Sequence, residues 1–254
     1  MTSVQIPRVL VKWCGKGILY AEGLRIQKKH LASHFEENTE SSIPKNVLLL
    51  LEHSPVYTIG IRTKDYSADD ERRLQSLGAD FYKSDRGGLI TFHGPGQLVA
   101  YPILNLEHFK SCGGVGGGPR GVRWYVCQLE QCLIRLCSQY GLTASAPGPP
   151  LTGVWVNGRK IAAIGIHATK RSFVSHGLAL NCDTDLTWFE HIVPCGLQGK
   201  ETTSLSKELS KESKNARIGV MDVIHPFAKA FAQQLRCEIV YESDSDLARN
   251  AHTA

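Results

Sequence analysis

Asn157-Gly158 stands between two extended apolar runs, Val154-Trp-Val156 and Ile161 to Ile166. A two-residue hairpin turn needs positive φ at its centre, which Asn and Gly adopt at little cost, so this stretch is predicted to be an antiparallel hairpin. Upstream, Tyr20, Leu24, Leu31 and Phe35 recur at helical spacing between Gly17 and Phe35, and Val47 to Leu51 reads as a buried strand that Ser54-Pro55 breaks. Val56 to Ile61 is extended, and Asp69-Asp70-Glu71 opens a short helix through Leu77. Two strand-like runs between Arg86 and Ile103 are joined through His93-Gly94-Pro95-Gly96; Pro102, which cannot donate to a ladder, predicts an edge or a strand end. Val122 to Tyr140 is an amphipathic helix stopped by Gly141, with Val126, Leu129, Leu133 and Leu136 on one side. Phe173 to Cys182 is extended, Val220 to Leu235 helical, and Glu238 to Tyr241 a last strand. With no repeat or composition break, residues 1–254 read as a single domain with a polar tail from about Ser243.

Composition narrows the class. With 254 residues, 42% of them hydrophobic and 21% charged, the chain has the make-up of an ordinary globular protein. At this length roughly 70–75% of the unfolded surface is buried, so no metal or disulfide staple is required. Lys+Arg 29 against Asp+Glu 24 leaves +5, too mild for a nucleic-acid footprint but favourable to an acidic protein partner. No apolar run approaches the ~20 residues of a membrane span, and no membrane partner is expected. Eight cysteines without paired spacing predict free thiols in a reducing compartment. Cys127, Cys132 and Cys137 step by five residues, about 500° on a helix, so they fan out and cannot share an ion; no metal is expected. The first acidic residue, Glu22, follows Arg8, Lys12 and Lys16, which fits a mitochondrial import segment, yet Val9 to Trp13 in the same stretch fits a first strand. Composition leaves both readings open.

Three stretches could carry chemistry. Gly116 to Gly121 satisfies G-x-G-x-x-G before a helix, but a spacer from Asn105 to Cys112 separates it from the preceding strand, so a dinucleotide site is not expected. No phosphate loop of the G-x-x-x-x-G-K-[ST] type exists. Arg86-Gly87-Gly88 and His93-Gly94-Pro95-Gly96 place glycines where packing alone would favour side chains, allowing a ligand to approach the backbone. Pro194-Cys195-Gly196 sets a thiol on a turn, where it becomes a good nucleophile only with a base or cation beside it. Lys160, just after the hairpin turn, is one candidate partner; His167, His176 and His191 are others, and the residues alone do not choose.

Taken together, Arg86 to Gln97, Gly153 to Gly165, His176-Gly-Leu-Ala-Leu-Asn181 and Ile192 to Gly196 closely resemble the octanoyltransferase family, over about Val9 to Leu209. The resemblance implies an α/β (α+β) fold, a mixed, largely antiparallel sheet flanked by helices, like that of biotin and lipoate protein ligases. It implies a catalytic pair at Cys195 and Lys160. The acyl pocket would be lined by Arg86, Gly87, Gly88, Leu89, Ile90, Thr91, Phe92 and His93, by Ala163, Ile164 and Gly165, and by Gly177, Leu178 and Ala179. Two departures from the family pattern are read in this sequence: a longer glycine-rich loop at 113–118 and an extra residue within 167–175.

The implied reaction takes an octanoyl group from octanoyl-acyl carrier protein, through a thioester on Cys195, to a lysine of lipoyl domains of 2-oxoacid dehydrogenase complexes and of the glycine cleavage H protein. Thioester exchange is nearly balanced and amide formation runs downhill, so no cofactor and no ATP are expected. Lys160 would accept the thiol proton and later that of the incoming amine, a role that burial of the lysine favours. In eukaryotes the family works in mitochondria, in bacteria in the cytoplasm. An ATP-dependent lipoate or biotin protein ligase on the same fold, or a non-catalytic acyl-carrier-binding scaffold, are the alternatives.

Overall fold

The computed structural model describes residues 6–36, 43–62, 66–109, 121–169, 172–193, 199–210 and 217–242. Its centre is made by runs that are apolar on both faces. β1 (Arg8–Trp13), β2 (Val47–Leu51) and β6 (Gln97–Asn105) alternate between two cores: Val9, Val11, Leu48, Leu50, Leu98 and Ala100 on one side, Leu10, Val47, Leu49, Leu51, Val99 and Tyr101 on the other. Successive strand residues point to opposite faces, so a run such as Val47 to Leu51 needs cover on both. α3 (Val122–Gln139) and α5 (Val220–Leu235) cover the first face, and α1 (Tyr20–Ser33) lies over the second through Ile26 and Leu31.

Among the described residues, eight strands form the main sheet in the order β11-β1-β2-β6-β10-β9-β8-β7, completed by β7 (Ala144–Ser145), β8 (Val154–Val156), β9 (Arg159–Thr169), β10 (Phe173–Asn181) and β11 (Glu238–Tyr241). β1 is parallel to both neighbours, and the pairings from β2 through β7 are antiparallel. The sheet is therefore mixed and largely antiparallel with helices on both faces, as expected. A second sheet, β4-β3-β5, joins β3 (Val56–Ile59), β4 (Asp80–Lys83) and β5 (Thr91–His93), with α2 (Ala68–Gln75) between β3 and β4. A 3-10 turn at Leu186–His191 packs Phe189 into its small core. A short α4 (Leu205–Leu209) precedes α5.

Pro102 corrects the sequence reading. It lies neither at an edge nor at a strand end, but inside β6, between β2 and β10. The β10 ladder gives way where its missing N–H would matter: Leu104 pairs with Val174 and Ala100 with Leu178, but the three positions between do not pair. Opposite Pro102, His176 has φ 56° and its N–H donates to the Gln27 side chain at 2.8 Å. Gly177 must also be small, because a Cβ there would run into the Ala100 carbonyl and sit 2.7 Å from the Pro102 ring. α5 handles its own proline similarly: Pro226 leaves the Asp222 carbonyl without a helical donor, and the Tyr140 hydroxyl donates to it at 3.1 Å.

Other differences lie at element ends. α1 begins at Tyr20 and not Gly17, since Gly17 has φ 68° and Ile18 bridges His53. β3 stops at Ile59 because Ile61 N–H donates to the Arg86 carbonyl. Cys127 is exposed while Cys132 and Cys137 are buried, the fan their spacing predicts, and the cysteines of the described residues are free. The glycine-rich run Gly113 to Arg120, including most of the G-x-G-x-x-G match, lies outside the described residues.

Candidate active site

The Asn157-Gly158 turn has φ 50° and 77°, the left-handed pair its type demands, and sends the chain directly into β9. β10 returns antiparallel, setting Ala163 opposite Ala179, Ile164 opposite Leu178 and Gly165 opposite Gly177. The two triplets named in the sequence analysis are thus direct cross-strand neighbours. Together with Arg86, Gly88, Thr91 and His93 from the loop and strand of the smaller sheet, and with Tyr20, Val99, Tyr101 and His176, they line a narrow slot between the two sheets under α1. A second recess shares Thr91, Ala163 and Ala179 with it and extends to Gln97, Asn181, Phe189, Thr202 and Lys160. A small-residue slot therefore adjoins a recess that holds an amine.

Lys160 is only 7% exposed. Its backbone is fixed on both sides: the N–H donates to the Glu201 carbonyl and the C=O accepts from Thr203, each at 2.9 Å. Its Nζ stands 5.7 Å from the Trp155 ring centroid, within cation–π range. Gly153, with φ 118°, makes room for the side chain, since a Cβ there would meet Lys160 Cε at 2.8 Å; the Gly153 N–H is held by Glu130 Oε1 at 2.9 Å. On the flank, buried Glu208 accepts from Arg159 at 2.8 Å, from Asn157 at 3.2 Å and from the Thr203 hydroxyl.

The slot wall is polar as well as small. Arg86 is buried, its Nη2 donating to the Thr58 carbonyl and hydroxyl and to the Leu89 carbonyl, and its Nη1 to the Gly87 carbonyl. His93 Nδ1 lies 2.8 Å from Gln97 Oε1, and Gln97 Nε2 donates to Asn181 Oδ1 at 2.8 Å. Burial, then the nearness of His53 and Arg86, hold His93 well below the ordinary imidazole range. His53 donates from Nδ1 to the Ile18 carbonyl at 2.7 Å and accepts the Tyr101 hydroxyl at 2.8 Å; burial lowers its pKa to about 4. His176 Nε2 contacts Asp85 Oδ1 at 2.8 Å, and burial outweighs that carboxylate, lowering its pKa.

Four positions named with the slot from sequence face elsewhere. Along β5 side chains alternate, so Thr91 and His93 reach the slot while Ile90 and Phe92 enter the small core with Tyr57, Ile59 and Phe189. Gly87 contributes an N–H to the Ile166 carbonyl at 3.0 Å, and Leu89 a carbonyl to Arg86. His167 and His176 pair with Asp85 at the far end of β9 from Lys160. The His191 carbonyl accepts from Arg73 on the outer side of the 3-10 turn. Cys195 lies outside the described residues. Tyr20, Val99, Tyr101 and Thr202 had no sequence signal as site residues: they reach the site only once α1, β6 and the segment that bridges Thr202 to Lys160 are packed. Among the described residues no group of His, Cys, Asp and Glu could hold a metal ion.

Comparison with known proteins agrees with this architecture. Residues 20–232 match the model of the lipoyl protein ligase A/B catalytic domain. A mitochondrial octanoyl-(acyl-carrier-protein):protein N-octanoyltransferase of Danio rerio is 50% identical over 224 residues, 88% of this chain and 91% of that one. A mitochondrial octanoyltransferase of Arabidopsis thaliana is 38% identical over 242 residues, 95% of each. Among solved structures, a lipoate-protein ligase A bound with ATP superposes with TM-score 0.65 at 11% identity, covering 98% of this chain and 93% of that one. A bipartite lipoate protein ligase of Thermoplasma acidophilum gives 0.62 at 14%, covering 98% and 91%; at such identities the likeness is one of fold. The chain belongs to the octanoyltransferase family, within the lipoyl protein ligase A/B catalytic domains.

Proposed function

We propose that this chain transfers an octanoyl group from octanoyl-acyl carrier protein to a lysine of lipoyl-accepting domains, those of 2-oxoacid dehydrogenase complexes and the glycine cleavage H protein, through a thioester on Cys195, with Lys160 moving the protons. The observation that carries the reading is the adjacency of the small-residue slot to the recess of Lys160. A medium acyl chain fits such a slot, and each methylene buried there is worth about 0.8 kcal/mol. The relatives' names supply the acyl group and its carrier. The +5 balance suits acidic protein donors and acceptors. The eukaryotic relatives are named as mitochondrial, and the same location is read for this chain. The working unit is taken to be one catalytic domain over 1–254.

In this reading Lys160 takes the Cys195 thiol proton, the thiolate attacks the octanoyl thioester carbonyl, and the carrier's sulfur leaves with that proton. The acceptor lysine amine then attacks the acyl-Cys195 carbonyl, an amide forms, and its displaced proton returns through Lys160 to the thiol. The test is octanoyl transfer from carrier protein to a lipoyl domain without ATP. Wild-type protein is expected to transfer and Cys195→Ser to lose transfer; retained activity in Cys195→Ser removes the covalent route, and a strict ATP requirement points to the ligase alternative.

A further inference from the structure

The slot has an open stretch and a closed end. On its floor Ala163 pairs with Ala179 and Ala179 with Val99, three short side chains in one row across β9, β10 and β6. Side chains of one face recur every second residue, so the next row is Gly165, its partner Gly177 and, beside them, Tyr101. The space a side chain would take on either glycine is already filled by backbone: a Cβ on Gly165 would stand 2.9 Å from the Gly87 carbonyl and 3.2 Å from Arg86 Cδ, and one on Gly177 would run into the Ala100 carbonyl. The Arg86-Gly87 turn therefore closes the slot over β9, His176 lines it at β10, and Tyr101 stands in it at β6.

Tyr101 is 4% exposed and spans the gap from the sheet to α1, where a Cβ on Gly23 would come within 3.7 Å of its ring and 2.8 Å of His53. Its hydroxyl donates to His53 Nε2 at 2.8 Å, and His53 Nδ1 donates to the Ile18 carbonyl at 2.7 Å, which ties the ring to the segment leading into α1. His176 meets it edge to face with ring centroids 6.0 Å apart, and is itself held by Asp85 through Nε2 and by Gln27 through its N–H. Swinging the Tyr101 ring aside would break a buried hydrogen bond. Its place along the slot matters too. Gly153, whose Cβ position would touch both the Ala162 carbonyl and Lys160, puts the lysine head level with Ala162. From Ala162 to Gly165 is three strand residues, roughly 10 Å. An extended eight-carbon acyl chain measures roughly 9–10 Å from carbonyl to methyl, so a chain whose carbonyl lies at Lys160 ends against Tyr101. Two more carbons would add roughly 2.5 Å, in space that the ring and the Arg86-Gly87 turn already occupy.

We propose that Tyr101, held by His53, sets the acyl-chain length: its ring stops the methyl end at eight carbons and denies the slot to longer chains. The inference rests on the reading of the slot as an acyl site and deepens it, assigning the length limit to one side chain.

Calorimetric titration of the full chain with hexanoic, octanoic, decanoic and dodecanoic acids tests it. For wild-type protein octanoic acid is expected to bind roughly 10-fold tighter than hexanoic acid, as two more buried methylenes require, and the two longer acids no tighter than octanoic acid. In Tyr101→Ala the tightest binder is expected to become decanoic or dodecanoic acid; Tyr101→Leu, which keeps an apolar core side chain, carries the same expectation should the alanine variant not fold. Affinity that keeps climbing to dodecanoic acid in wild-type protein, an octanoic acid optimum retained in folded Tyr101→Ala or Tyr101→Leu, or no binding of any of the four acids overturns the stop. Because the acids require no turnover, a length limit that moves with residue 101 in a protein that transfers no octanoyl from its carrier refutes the transfer reading and leaves the stop standing. Octanoyl transfer by a protein whose affinity climbs past eight carbons does the reverse.

Discussion

Lys160 combines burial, a fixed backbone and a glycine cut away to let its side chain through. Lys160→Ala is expected to lower kcat by at least about 100-fold, the range for a lost proton carrier, while the near-ultraviolet circular dichroism stays native. Near-normal turnover would hand the proton to another group. Gly177→Ala would push a methyl into the Ala100 carbonyl and is expected to cost about 2 kcal/mol in urea unfolding, since overpacking moves backbone. His53 sets a pH limit on stability. Its pKa is about 4 in the folded state and about 6.5 unfolded, so below pH 6.5 the unfolded chain binds the extra proton. Stability from this group is complete above pH 6.5 and drains away as pH falls toward 4; from pH 7 to 5 the loss is about 2 kcal/mol. Urea midpoints at the two pH values check it, and His53→Gln should flatten the difference. The cysteine and the lysine were legible as types in sequence, but Tyr20 and Tyr101 were not, because their approach to the slot is made by packing α1 over β6 and not by any local pattern.

At the scale of elements, the ion-paired corner of β9 and α4 keeps Lys160 in place. Glu208 is buried and ties Arg159, Asn157 and Thr203 together across the bridge between Lys160 and Thr202. Glu208→Ala strands these donors and is expected to cost about 2–3 kcal/mol, visible as a lower melting temperature; Glu208→Gln, which keeps an acceptor, should recover part of it. The hairpin was legible because Asn-Gly encodes its own φ values, and α3 because its apolar side repeats at helical spacing and Gly141 stops it. Pro102 misled because a proline's lost donor is tolerated in a central strand when the neighbour bends away, and that bend at His176 lies 74 residues on, where no local signal links the two. Ile90 and Phe92 were grouped with the slot because a contiguous motif says nothing of which face each residue takes until the strand's partner is known.

For the whole molecule, mixed strand and helix signals pointed to an α/β fold, but strand order, with β1 and β11 parallel at one edge and the β7–β8–β9 meander at the other, depends on long-range pairing that periodicity does not encode. The four motif blocks are spread over more than a hundred residues, and the fold brings three of them to one slot while the fourth includes Cys195. Whether the molecule works through that thiol is the central claim. Intact-mass spectrometry after incubation with octanoyl-acyl carrier protein tests it most directly. One octanoyl group, removed by hydroxylamine as a thioester is and absent from Cys195→Ala, is the result expected; an unmodified chain, or an adduct that persists in Cys195→Ala, would contradict it.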